Sequence, residues 1–300
     1  MVHTIKNDFM TVSVAEEGAQ LQSILGRDGT EYLWQGDAAY WPDRALNIFP
    51  YVARLTQGSY YLDGQLHQMA IHGIAPYRRF RLAKRRDDAL VLELTADQDT
   101  LAQYPRDFRF RIHYLLNGST LEVVFEVENR DEKPMYFGLG GHPGFNVPLA
   151  PGKSFSDYRL RFAEPCRPQR VGFTAACFLS GANTDYPLEE DRFLPLRHDL
   201  FDDDAVVLRD MCHQVTLETP GDSHAVTVTF PQMPYLGIWH MPKTDAPYVC
   251  LEPWCSLPST QDQIAVLEEQ ADLISLAPGA AYRNQWSIAI HQPTGEETDR

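Results

Sequence analysis

The chain has 300 residues, 26 basic against 41 acidic, for a formal net charge of −15. That excess repels polyanions and excludes a nucleic-acid partner. The densest basic cluster, Arg78-Arg79-Phe80-Arg81 through Lys84-Arg85-Arg86, runs directly into Asp87-Asp88 and reads as a solvated strand. With 44% apolar and 22% charged residues the composition is globular, not disordered. Area scaling predicts roughly 13,000 Å² exposed when folded against roughly 49,000 Å² unfolded, so a core forms without a metal or disulfide staple.

Five cysteines, Cys166, Cys177, Cys212, Cys250 and Cys255, form no C-x-x-C pair, which removes zinc-knuckle and thioredoxin-like readings. The first residues, MVHTIKNDFM, lack a basic start followed by an apolar run, and no apolar stretch reaches membrane-spanning length. A cytoplasmic protein without a membrane partner is expected.

In chain order, QLQSILG leads through the turn Arg27-Asp28-Gly29-Thr30 into EYLWQG. Asp63-Gly64 separates two β-rich runs in GSYYLDGQLHQMA, a strong hairpin signal. Asp99 to Tyr104 has room for one helical turn, stopped by Pro105. FRFRIHYLLN and TLEVVFEVEN then alternate at period two on either side of Gly118-Ser119, and 150–197, rich in proline and polar residues, is expected to hold the long loops. Alternation returns in DYRLRF, QVTLET, HAVTVTF, YLGIWH, DLISLA and RNQWSIAIH. Such a series of antiparallel strands implies an all-β fold of packed sheets, and without a linker or compositional break a single domain over 1–300 is expected.

Three segments place ionisable groups among glycine, proline and aromatic residues: IFPYVARL with the later IHG, LGGHPGFN, and VCLEPW. Flanking glycines allow His142 either to cap a tight turn or to point into a cavity. Glu252 lies in the apolar run YVCLEPW and is either outward and solvated, which bare alternation slightly favours, or inward and partnered; burial would raise its pKa as a general base near neutrality requires. His72 before Gly73 reads most simply as a satisfied structural histidine, and Arg54 among apolar residues needs a carboxylate or polar ligand if buried. No H-x-H, H-E-x-x-H, calcium-loop, G-x-S-x-G, Walker or dinucleotide pattern occurs, so neither a metal nor an organic cofactor is expected.

Taken together, EYLWQGDAAYW, FPYVARLTQGSYYLDGQ, IHGIAPYRRF, QYPRDFRF, GGHPGFNVPL, LFDDDAVVL, YLGIWH and APYVCLEPW resemble the aldose 1-epimerase (galactose mutarotase-like) family, and within it the LacX-type bacterial branch. The resemblance implies a single-domain β-supersandwich that interconverts α and β anomers of a free aldohexose without a cofactor. It implies His142 as general acid, Glu252 as general base, His72 and Arg54 as substrate-orienting groups, and Asp204 as the sugar-binding aspartate of LFDDDAVVL, with Asp202 and Asp203 leaving the register open. An aromatic such as Trp239 or Phe145 could stack on the apolar sugar face, although such aromatics more often belong to the core. The family's galactose mutarotases carry asparagine where this chain has Ala53, and a longer insertion around the first histidine, so galactose specificity does not transfer. Three rivals are a hexose-6-phosphate epimerase using Arg44, Arg78 or Arg79 at the rim, a non-catalytic sugar-binding module, and a glycoside hydrolase using Glu252 with Asp204. The expected partner is a small sugar, and the expected state is a monomer or homodimer.

Overall fold

Alternating apolar positions drive nearly every segment into antiparallel strands. In the computed structural model, which describes residues 1–293, a nine-stranded and a seven-stranded sheet form the body, and smaller sheets flank them. The nine-stranded sheet is centred on the long strands Phe108–Asn117, Thr120–Asn129 and Ala281–His291. Its first two are the period-two arms read from sequence, paired Thr120 to Asn117 around the expected turn. Their alternate residues Phe110, Ile112, Phe125, Ile288 and Ile290 are fully or almost fully buried, so one face of the sheet is apolar.

The seven-stranded sheet orders its strands as Thr184–Asp185, Gln169–Arg170, Val206–Arg209, Tyr235–Trp239, Tyr248–Trp254, Gly140–Asn146 and Ala45–Ile48. Leu236, Ile238, Val249 and Leu251 from its inner face join the same apolar cluster as Phe110 and Ile288. Asn47 Nδ2 donates to the Tyr114 hydroxyl at 3.0 Å across the two sheets, and Phe49 stacks on Phe110 with centroids 4.7 Å apart. The two sheets therefore pack face to face, with the main core between them.

Local readings fared well where turn chemistry was explicit. Asp63 and Gly64 have φ of 52° and 71° and close the hairpin Ser59–Leu62 to Gln65–Gln68, as a two-residue turn with positive φ requires. The helical turn spans Gln98–Gln103, with Asp97 accepting from Thr100 N as its cap. Arg81–Arg85 is the solvated strand, and 150–197 holds only strands of two to four residues. EYLWQG differs: it forms isolated bridges, Glu31 to Leu25 and Leu33 to Phe145, in place of a continuous strand. All five cysteines are free, and no helix among the described residues is long and apolar enough to cross a membrane.

Candidate active site

The outer face of the seven-stranded sheet carries the polar groups. Side chains alternate along a strand, so the apolar residues 249 and 251 that enter the core force Tyr248, Cys250, Glu252 and Trp254 onto the opposite face. The neighbouring strand pairs Gly140 with Trp254 and Gly144 with Cys250, a register that sets His142 across from Glu252. On the other side Gly237 pairs with Glu252 and Trp239 with Cys250. Both readings of Glu252 therefore contain part of the answer: it points away from the main core, yet a second layer covers it.

That layer is aromatic. Trp41 stacks on the His142 ring at 4.7 Å, Trp239 meets the same ring edge-on at 5.7 Å, and Trp41 stacks in turn on Tyr248 at 5.9 Å. Trp41 is held by the bond from Trp34 Nε1 to its carbonyl, 2.9 Å. As a result His142 is 7% exposed and Glu252 2%. His142 Nε2 lies 3.2 Å from Glu252 Oε2, and its Nδ1 has no hydrogen-bond partner among the described residues.

Burial pushes the Glu252 carboxyl well above the usual carboxylate range, and the nearby Asp204 carboxylate adds to the effect. Burial pushes His142 well below its ordinary value, with His72 contributing. Each shift favours the uncharged form of its group, and at 3.2 Å the two can pass a proton directly. Because the two groups touch, they titrate as a unit.

His72 reaches the same place from the loop after Met69. Its backbone is left-handed, with φ of 63°, and Gly73 follows at 82°. A Cβ on Gly73 would lie 2.3 Å from the Phe49 carbonyl oxygen, so only glycine lets this loop pass. The backbone N–H of Ala53 donates to His72 Nδ1 at 3.3 Å, leaving Nε2 to carry the proton in the neutral ring. Burial lowers His72 to about 4, with the Arg54 charge adding to it, so the neutral form holds at pH 7. The ring sits edge-on to His142 at 5.4 Å. Since a backbone amide orients His72, the alanine at position 53 leaves that contact intact.

The Asp204 carboxylate receives Trp239 Nε1–H on Oδ1 at 2.8 Å and the Cys177 thiol on Oδ2 at 2.8 Å. Asp202 and Asp203 are exposed, whereas Asp204 is half-buried beside Trp239. Arg54 is exposed, with no side-chain hydrogen bond or ion pair among the described residues. Its charge acts on both His72 and Cys177. Phe145 stands elsewhere. Three residues past His142 on a strand, it faces inward and is wholly buried in the main core, so the expectation that it lines the cleft is corrected by strand alternation. Trp41, which sequence reasoning had not singled out, sits beside His142 in its place.

The rim arginines considered for a phosphate are engaged. Arg44 donates to the Gln22 carbonyl at 2.5 Å and to Gln35 at 3.1 Å, Arg78 pairs with Asp99 at 3.0 Å, and Arg79 with Glu16 at 2.6 Å. One further group lines the site: Cys250 offers a sulfur such that it, a His142 nitrogen and a Glu252 oxygen all lie within 4.8 Å of one another.

The sequence profile described as Aldose 1-epimerase matches residues 1–289. The chain belongs to the aldose 1-epimerase family. It is similar to the chromosomal protein LacX of Lactococcus lactis subsp. lactis, 30% identical over 302 residues, covering 97% of this chain and 99% of that protein. In structure it resembles a galactose mutarotase related enzyme from Lactobacillus acidophilus, at 30% identity, TM-score 0.93 and 98% coverage of both chains. A galactose mutarotase-like protein from Lactobacillus casei ATCC 334 is similar at 31% identity and TM-score 0.90, covering 97% of this chain and all of that one. The fold is accordingly galactose mutarotase-like, and the family implies a carbohydrate epimerase with a sugar substrate.

Proposed function

We propose that the protein is an aldose 1-epimerase acting on a free aldohexose, with His142 and Glu252 as its proton-transfer pair. The observation that carries this reading is the 3.2 Å contact between an imidazole and a carboxyl from adjacent strands, in a nearly dry aromatic enclosure. Anomer exchange needs one proton delivered to ring oxygen O5 and one removed from the C1 hydroxyl. A pair sharing a single proton meets that need.

Transfer of the shared proton to His142 gives an imidazolium and a carboxylate. His142 then protonates O5 while Glu252 takes the C1 hydroxyl proton; the C1–O5 bond breaks and the aldehyde forms. Rotation about C1–C2 presents the other carbonyl face. In reclosure O5 attacks C1, the acid on Glu252 returns its proton to the carbonyl oxygen, and His142 accepts the O5 proton. No proton is gained or lost over the cycle. The neutral His72, with Nε2–H free to donate, and the uncommitted Arg54 guanidinium orient sugar oxygens. Asp204 accepts from a hydroxyl, and the Trp239 indole, fixed by that same carboxylate, packs against the sugar.

A glycoside hydrolase works with two carboxyl groups flanking the scissile bond, whereas the group in contact with Glu252 is the His142 imidazole, at 3.2 Å. A sugar 6-phosphate needs a cation at the cleft; Arg44, Arg78 and Arg79 are engaged and Arg54 is uncommitted, so the exchange experiment decides between free and phosphorylated sugar. Nuclear magnetic resonance exchange spectroscopy on free hexoses, pentoses and hexose 6-phosphates tests the reading. Exchange above buffer rate is expected for a free hexose. The absence of acceleration for every sugar would refute the enzyme reading, and acceleration confined to 6-phosphates would refute the substrate class.

A further inference from the structure

We propose that His142, Cys250 and Glu252 form a binding site for a soft divalent cation, Zn²⁺ fitting best, which shuts out the sugar while bound. The three ligands come from one structural rule. Cys250 and Glu252 are two residues apart on a single strand, hence on one face, and the adjacent strand sets His142 across from Glu252. A nitrogen, a sulfur and an oxygen thus converge within 4.8 Å, with the nitrogen and oxygen already 3.2 Å apart. Ligand spacing along the sequence cannot reveal such a site, because the ladder creates it.

The donor set selects the ion. Thiolate with imidazole favours zinc over magnesium or calcium, and zinc accepts carboxylate as its third protein ligand. Three protein ligands leave the fourth tetrahedral position open to water. Charge balance also favours it: a dication held by a thiolate, a carboxylate and a neutral imidazole sums to zero, so no net charge is buried.

Affinity would be limited by the outer shell. If His142 binds through Nε2, its Nδ1–H has no acceptor among the described residues, a defect that weakens metal sites by about 10–100-fold. The ion would then bind reversibly. It would occupy both members of the proton-transfer pair, so bound metal and anomer exchange exclude one another. That exclusion rests on the epimerase reading; the metal site itself does not.

The test uses the full chain freed of metal. Zn²⁺ is titrated against a chromophoric chelator, and Co²⁺ serves as a spectroscopic probe through its thiolate charge-transfer band in the near ultraviolet. One equivalent should bind, with the band present. In Cys250→Ala the Zn²⁺ affinity should fall at least about a hundredfold, more than an outer-shell loss, and the band should vanish. Cys177→Ala and Cys212→Ala should retain both. If circular dichroism shows Cys250→Ala to be unfolded, Cys250→Ser replaces it, a hydroxyl being a poor zinc ligand. Zn²⁺ should suppress anomer exchange in the unsubstituted chain, with sugar protecting, and the Zn²⁺ concentration needed should rise at least about a hundredfold in Cys250→Ala, each protein being compared with its own metal-free rate. A band or Zn²⁺ affinity unchanged in the Cys250 variant overturns the site. Should the metal-free protein show no exchange, the epimerase reading fails, while the Co²⁺ spectrum still decides the metal site.

Discussion

Gly237 and Glu252 face each other across adjacent strands so closely that a Cβ on Gly237 would lie 3.2 Å from the Glu252 Cβ and 3.5 Å from its carboxyl carbon. The same Cβ would sit 3.2 Å from the Trp254 ring. Glycine at this point is what lets the carboxyl lie flat against the sheet and reach His142.

Gly237→Ala should therefore displace Glu252 by a few tenths of an ångström without breaking the ladder. Small misplacements of a reacting group cost rate steeply, so anomer exchange should fall about tenfold or more. Thermal unfolding should remain cooperative. Exchange at the unsubstituted rate would show that the carboxyl position is not critical.

Asp204 joins two walls of the cleft, taking Trp239 Nε1–H and the Cys177 thiol on its two oxygens. Asp204→Ala frees the indole and removes a sugar acceptor, and its main effect should be on KM, raised about tenfold for a lost bond to a charged group. Asp202→Ala and Asp203→Ala, at exposed positions, should leave KM unchanged. Equal effects from all three would contradict the register assigned to Asp204.

Trp41 covers His142 by stacking at 4.7 Å. Trp41→Ala opens the enclosure to water, and desolvation of the pair weakens. The acid and base limbs of the exchange pH profile should then move toward ordinary carboxyl and imidazole values, with a lower maximum. Trp41→Phe, which keeps an aromatic cover, should restore most of the profile. A profile unmoved in Trp41→Ala would rule out the aromatic cover as the source of the shifts.

Stability should respond to pH in opposite ways at two buried groups. Glu252 has a folded pKa above its unfolded value of 4.5, so its favourable contribution is complete below 4.5 and is lost as pH rises through the folded value. Glu252→Gln should consequently melt higher than the unsubstituted chain at pH 8, with the gap closing below pH 4.5. His72 runs the other way, from 6.5 unfolded to about 4 folded. Its contribution is present above 6.5 and lost as pH falls toward 4, on the order of 3 kcal/mol. His72→Gln should flatten that acid limb in thermal denaturation scans at pH 7, 5.5 and 4.

Much of this architecture is legible without coordinates, because period-two alternation and positive-φ turns are local properties. Both arms of the Gly118-Ser119 hairpin and the Asp63-Gly64 turn follow from residue types alone. His142, Glu252, His72 and Arg54 stand out by residue type, while their roles and Asp204 come from motif resemblance alone; that His142 meets Glu252 depends on ladder register between distant strands, which no local pattern encodes. Trp41 escaped because it lies in an irregular loop, among aromatics with no period. Phe145 was misplaced because its motif is read as a cluster, whereas a strand sends alternate residues to opposite faces. Cys250 went unnoticed as a ligand since its partners are set by pairing across strands, not by spacing.

The central claim is that His142 and Glu252 together move the protons of anomer exchange. Saturation-transfer resonance measurement of exchange on a free aldohexose, comparing the unsubstituted chain with His142→Ala and Glu252→Gln, tests it most directly. Each variant should lose at least about 10²-fold, the smaller contribution typical of one positioned proton-transfer group, while circular dichroism stays unchanged. Exchange near the unsubstituted rate in either folded variant would contradict the account.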